Sequence, residues 1–76
     1  MPTAFVLIDV DVGNIGEILN ELKKIEEVVE AYSVAGPNDI VVKLQADKFE
    51  KVAVAVTQKV HKISGVKNTL TFFAFE

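Results

Sequence analysis

Four residues between two apolar stretches carry the most suggestive chemistry in the sequence: Gly36-Pro37-Asn38-Asp39. Pro37 presets one turn corner and Asn38 tolerates the next, which predicts a four-residue hairpin tip. An aspartate at such a tip sits beside peptide N–H and C=O groups at a sheet end. That combination can hold an ammonium and a carboxylate together, and those are the two ends of an amino acid. The same residues also serve as plain turn formers, with Asp39 closing the turn on a nearby N–H. Other groups offer less. Asp9 and Asp11 alternate at a strand end and share a face, which suits a cation or simply a polar strand exit near a helix N-terminus. His61 falls one position off an apolar helical stripe, where a solvated side chain is expected. Lys59, Lys62 and Lys67 make a loose basic patch. The chain has no Cys, hence no disulfide and no thiolate ligand, and its one His cannot build a zinc site. No Ser/His/Asp or Cys/His set can be assembled. The sequence therefore predicts no catalytic residue, no metal and no cofactor.

The elements that position these residues follow from the apolar spacing. Thr3 to Val10 is an apolar run, with Phe5 and Leu7 on one face and Ala4, Val6, Ile8 and Val10 on the other, so it reads as a strand buried on both faces. Asp11-Val12-Gly13 forms a loop. Asn14 with Glu17 resembles a capping box, and Ile15, Ile18, Leu19, Leu22 and Ile25 follow at helical spacing. Val28 to Ala35 alternates as a strand, the turn at 36–39 follows, and Ile40 to Ala46 is the return strand. Asp47 with Glu50 predicts a second capped helix, whose stripe is Phe49, Val52, Ala53, Val56, Val60 and Ile63. Gly65 is placed to end it in the left-handed conformation. Val66 to Phe75 is the last strand, with Thr69, Thr71, Phe73 and Phe75 on one side and Leu70, Phe72 and Ala74 on the other.

The order is β-α-β-β-α-β, and a shift of 38 residues lays one half on the other without a gap. Ile18 falls on Val56, Leu22 on Val60, Ile25 on Ile63, and Val6 and Ile8 fall on Leu44 and Ala46. Two βαβ units of equal length are expected, interleaved in an α+β, ferredoxin-like fold. Its four-stranded antiparallel sheet has the order 4-1-3-2 and both helices on one face.

Composition narrows the class. At 76 residues the chain is one domain, spanning 1–76, and half of its residues are hydrophobic. No run is long enough to cross a membrane, and no basic n-region marks a secretory signal. The expected location is the cytoplasm. The net charge is −3, with eight Lys and no Arg. Residues 1–32 carry seven acids and two Lys, and residues 33–76 four acids and six Lys. Phosphate and base-edge recognition lean on the planar fork of Arg, so direct nucleic-acid binding is not expected. Two helices cover one sheet face only, yet both faces of the first and last strands are apolar. That predicts a homodimer packed sheet to sheet, as a sandwich about 10 Å thick at the seam.

The chain as a whole resembles the effector-binding RAM domain of the Lrp/AsnC, or feast/famine, regulators. The resemblance runs from Val29-Glu30-Ala31-Tyr32-Ser33-Val34-Ala35-Gly36-Pro37-Asn38-Asp39 to Ile63-Ser64-Gly65-Val66-Lys67-Asn68-Thr69-Leu70-Thr71. The family pattern is a strand ending in Gly-x-x-Asp, an apolar return strand, a helix, and a Gly-Val step leading to Thr-x-Thr. Family transcription factors place a helix-turn-helix domain ahead of this one, whereas here Met1 leads straight into the first strand, as in a stand-alone RAM protein. Asn38 stands where the family often has an aromatic residue. The resemblance implies a dimer that assembles into a ring of dimers, with amino-acid effectors bound between dimers near the Gly-x-x-Asp loop. It also implies a role in transcription regulation, with full-length Lrp/AsnC regulators as further partners. Gly36 and Asp39 carry over best, Pro37 and Asn38 lie within the same loop, and Thr69 and Thr71 match Thr-x-Thr.

Two rival readings share the topology. In ACT regulatory domains the ligand loop follows the first strand, and Asp11-Val12-Gly13-Asn14-Ile15-Gly16 faintly resembles it, with Val12 where Pro is common there. A small dimeric α+β barrel enzyme shares the sheet-to-sheet dimer but needs polar catalytic groups in a cleft, which a single His does not supply.

Overall fold

Apolar residues alternate along four segments, and all four are strands in the computed structural model, which describes residues 1–11 and 13–75. The expected loop residue Val12 and the final Glu76 lie outside the described residues. The elements are β1 (Thr3–Val10), α1 (Ile15–Lys23), β2 (Val28–Ser33), β3 (Ile40–Gln45), α2 (Phe49–Val54, continued by a π-helical turn Ala55–Val60) and β4 (Val66–Ala74). The sheet is antiparallel with the order β2-β3-β1-β4, the expected order read from its other edge.

The registers settle which face is which. Ala4, Val6 and Ile8 lie opposite Leu44, Val42 and Ile40 on one side and Phe73, Thr71 and Thr69 on the other. This is the inner face. It buries Val6, Ile8, Ile40, Val42 and Leu44 against Ile18 and Leu22 of α1 and Val52, Ala55, Val56 and Val60 of α2. At roughly 1.5–3 kcal/mol per buried aliphatic side chain, this one cluster is the main stabilising term of the subunit.

Several local expectations are corrected. Asn14 does occupy the N-cap of α1, with its carbonyl accepting from Ile18 N–H at 3.0 Å, but its side chain makes no capping bond. The N-cap of α2 is Lys48 rather than Asp47; Asp47 instead pairs with Lys51 one turn on, at 3.0 Å. The Lys51 ammonium holds the Asp47 carboxyl below its ordinary value. The Gly36–Asp39 turn is wider than expected, because β2 stops at Ser33 and residues 34–39 form a loop closed by Val34 N–H on the Asp39 carbonyl at 2.9 Å.

The two halves are related, but not without a gap. Val28 and Val66 each donate to the residue three earlier, Ile25 and Ile63, at 3.1 and 3.3 Å. The β2–β3 bulge falls at Val29 and the β1–β4 bulge at Lys67, again 38 apart. The strands β1 and β3, however, superpose at a spacing of 34: Val10 pairs with Val66 as Leu44 pairs with Val28, and Asp11 donates to Gly65 as Gln45 donates to Glu27. The helix starts, Ile15 and Phe49, are also 34 apart. The second unit is thus four residues longer, and the extra length lies inside α2. Four residues overshoot a 3.6-residue turn by about 40°. The π-helical turn, with His61 N–H bonded five back to the Val56 carbonyl at 3.2 Å, lies within this longer helix and widens its winding. It also brings Ala55 into the core beside Val56, where the sequence stripe had Ala53 and Phe49.

Gly65 behaves as expected, with φ of 96°, and carries the turn from α2 into β4. A Cβ there would stand 2.9 Å from Ile18 Cδ1.

Candidate functional site

The 34–39 loop is fastened to the C-terminal end of β1 through Asp39. The Asp39 backbone N–H donates to the Ile8 carbonyl at 2.9 Å, and its carboxylate Oδ2 accepts from Val10 N–H at 3.0 Å. β3 has turned away by that point, so the carboxylate stands in for the next carbonyl of the β1–β3 ladder. Asn38 adds a second tie, its side-chain amide donating to Asp9 Oδ1 at 3.0 Å. Asp9 and Val10 were not foreseen as partners. Their only sequence signal is that they end a strand adjacent to the hairpin in the interleaved topology.

Asn38 and Asp39 are half-buried by these contacts, while Gly36 and Pro37 are exposed. Gly36 is bare without an internal reason. Its φ is not positive, and a Cβ built on it would meet nothing within 4 Å. The loop therefore presents an open main-chain surface next to a fixed carboxylate, at a sheet end where Asp9 and Asp39 converge.

Thr69 and Thr71 lie elsewhere within the chain. They sit on β4, on the inner face, opposite Ile8 and Val6. β1 runs between them and the hairpin, which separates the two groups by two strand spacings, about 10 Å. Thr69 is engaged from the helix side: its Oγ1 is 2.9 Å from His61 Nε2. The structure thus joins Asn38 and Asp39 with Asp9 and Val10, and Thr69 with His61, as two separate constellations in one subunit.

Asp9 spends a carboxylate oxygen on Asn38, and among the described residues no group of three or more His, Cys, Asp or Glu gathers as a metal site. In the expected basic patch, Lys59 is paired with Glu27 at 2.9 Å, which holds the Glu27 carboxyl below its ordinary value against the opposing pull of burial. Three surface clefts, of about 620, 510 and 300 Å³, lie between the helices, at the Phe49–Phe75 end and along β2. None of them is lined by the 34–39 loop or by the two threonines.

The helix-free sheet face carries a continuous apolar strip. Phe5 lies beside Phe72, Leu7 beside Leu70 and Val41, and Val41 beside Tyr32. Leu70, Phe72 and Tyr32 are each about half exposed.

Comparison with known proteins agrees with this architecture. Residues 3–76 match the family model described as the Lrp/AsnC ligand binding domain. An uncharacterized HTH-type transcriptional regulator of Pyrococcus furiosus is 41% identical over 76 residues, covering 96% of this chain and 51% of that protein. The chain spans about half the length of the curated relatives it matches. Among solved structures, TTHA0845 from Thermus thermophilus superposes with a TM-score of 0.92 at 34% identity, covering 100% of this chain and 95% of that one. The transcriptional regulator NMB0573 of Neisseria meningitidis, solved as a complex with L-Met, shares the fold alone, with a TM-score of 0.81 at 14% identity over 99% of this chain and 50% of that one.

Proposed function

Because the chain belongs to the family of Lrp/AsnC ligand binding domains, we propose that it is an amino-acid effector-binding and oligomerisation module. In this reading it acts in transcriptional regulation in the cytoplasm, without contacting DNA itself and without turning over a substrate. The observation that supports it most is the junction of the 34–39 loop with β1, where a half-buried aspartate is held beside open main chain at a bare glycine. An effector ammonium pairs with the Asp39 carboxylate through the oxygen not used by Val10. The effector carboxylate takes peptide N–H groups near Gly36. Thr69 and Thr71, two strands away, enter the same site only if a neighbouring subunit supplies them, so the proposed ligand lies between dimers.

The dimer rests on the helix-free face. Phe5, Tyr32, Leu70 and Phe72, between 38% and 55% exposed, each offer on the order of 100 Å² or a little less, and together they supply roughly 350–400 Å² of apolar contact per subunit. A stable interface needs about 800 Å² per partner, and the flanking Leu7, Val41 and Ala74 extend the strip. Dimers then associate through their loops into a ring, and full-length Lrp/AsnC regulators are candidate partners in mixed assemblies.

Calorimetry with each of the twenty amino acids, run beside light scattering, tests the reading. Saturable binding of at least one of them, with a shift in assembly size, is the expected result. A micromolar monomer that binds none at millimolar concentration overturns it, as does specific protection of promoter DNA by the protein alone.

A further inference from the structure

Three of the chain's five phenylalanines gather where β1 begins and β4 ends, away from the 34–39 loop. Phe49 of α2 packs on Phe73 with centroids 5.2 Å apart and planes at 52°, and faces Phe75 at 6.5 Å with planes only 18° from parallel. Beside them lies a cleft of about 510 Å³, lined by Met1, Pro2, Thr3, Phe49, Ala74 and Phe75. This volume falls in the range of small-molecule sites, about 300–1,000 Å³. We propose that Phe49 and Phe75 form a clamp for the planar aromatic ring of a small molecule, a site separate from the Asp39 loop.

The ring geometry points to a flat occupant. A centroid distance of 6.5 Å is at the loose end for rings in direct contact, which spans about 4.5–7 Å. A contact this loose is readily opened, so a flat ring can displace Phe75 from Phe49 and lie against both. Phe75 is free to move, being 85% exposed and beyond the last residue of β4. Phe49 is held by its tilted contact with Phe73, which packs on the core. Polar recognition is slight, because the Thr3 hydroxyl already donates to the Met1 carbonyl and accepts from the Gln45 amide, both at 3.1 Å. Selection would rest on ring shape. Phe73 lies on the inner face, opposite Ala4, while Thr3 and Ala74 of the cleft lining pair on the helix-free face, at the edge of the strip proposed for the dimer.

Indole is the probe. The chain contains no Trp, so indole fluorescence reports the ligand alone. Saturable binding is expected, weakened about tenfold by Phe75→Ala, in line with ring stacking elsewhere, and by a smaller factor in Phe75→Leu, which keeps apolar bulk without a flat ring. Asp39→Asn should leave indole binding unchanged. Cyclohexanol, apolar but not planar, should compete poorly. Unchanged indole affinity in Phe75→Ala overturns the proposal, and so does absence of saturable binding at millimolar indole. Loss of an oligomer in Phe75→Ala with indole affinity intact would assign the cluster to a second copy of the chain instead. Phe75 lies outside the core, so the folding of Phe75→Ala is secure, and Phe49→Ala gives a second, independent removal of the clamp.

Discussion

Replacing Asp39 separates the two roles that its carboxylate can play, provided the replacement is chosen from the geometry. Oδ2 accepts from Val10 N–H at 3.0 Å, so Asp39→Ala removes a structural bond together with any ligand contact. A hydrogen bond to a charged group contributes about 1.5–3 kcal/mol, and Val10 is only half-buried, so a loss of about 1–2 kcal/mol is expected. For a domain of this size each kcal/mol moves Tm by roughly 4–8 °C, which puts Asp39→Ala about 5–15 °C below wild type. Asp39→Asn keeps a carbonyl oxygen for Val10 N–H and discards the charge. Its bond is about half as strong, so its Tm should fall by only about half as much. The ligand responds differently. An ammonium that meets a neutral amide, or a methyl group, in place of the carboxylate forfeits a charge-assisted bond, so affinity should drop about tenfold to a hundredfold in both variants. Calorimetry with the amino acid that binds best, read beside thermal melts, gives both numbers. If Asp39→Asn binds with wild-type affinity, or if affinity across the variants merely tracks Tm, the carboxylate is a ladder cap and the proposed site is wrong.

Other outcomes follow from single contacts. Gly36→Ala should leave Tm within a degree or two, since its Cβ meets nothing within 4 Å, while effector affinity measured by calorimetry falls. Gly65→Ala should lose about 1–3 kcal/mol in denaturant melts, from a φ of 96° and the 2.9 Å approach to Ile18 Cδ1. Leu70→Asp should give a folded monomer by light scattering and circular dichroism, because Leu70 lies on the helix-free face, whereas Phe73→Asp strikes the core side and should unfold the subunit. Lys59→Met should cost about 0.5–1 kcal/mol at neutral pH. The Glu27 carboxyl is held below its ordinary value chiefly by Lys59, so this stabilisation is complete above the unfolded value of about 4.3. It disappears as pH falls through the lowered folded value, and melts of wild type and Lys59→Met should converge in that acid window.

Most of the fold was legible because its signals are periodic. The alternation of Ile40, Val42 and Leu44, and the helical spacing of Ile18 and Leu22, each state a face without reference to the rest of the chain, and all five residues are buried. The gapless repeat was misleading for a related reason. The strands are offset by 34, not 38, and a shift of four preserves a two-residue period and nearly preserves a 3.6-residue one. Apolar pattern alone cannot see such an error, so the right faces came with the wrong correspondence. The extra turn shows only in the registers of β1 and β3 and in the helix starts. The side-chain capping bonds expected of Asn14 and Asp47 are absent for a simpler reason. Residue type marked the helix start to within a residue, but an exposed polar side chain has competing partners. Asp47 meets an ammonium at Lys51 and takes it.

The candidate site was legible as a loop and not as a constellation. Gly36 and Asp39 could be picked out because turn chemistry is local. What the loop touches is set by topology: with β1 between β3 and β4, an aspartate at the start of β3 is delivered to the end of β1, 29 residues away in sequence. The same order keeps Thr69 and Thr71 on the far side of β1. Within one subunit the hairpin aspartate and the last-strand threonines therefore stay two strands apart. Any ligand that needs both must bridge subunits, and a bridging ligand favours the assembled state over the free dimer by its difference in affinity for the two. If the threonines take part, effector binding and ring assembly are one equilibrium. Thr69→Val and Asp39→Asn should then each lower both, and mixing the two variants should restore the composite site only where an intact Asp39 meets an intact Thr69 across an interface. Light scattering of the mixture with effector would show partial recovery of the larger assembly; no recovery would place the threonines outside the site and leave them to their contact with His61.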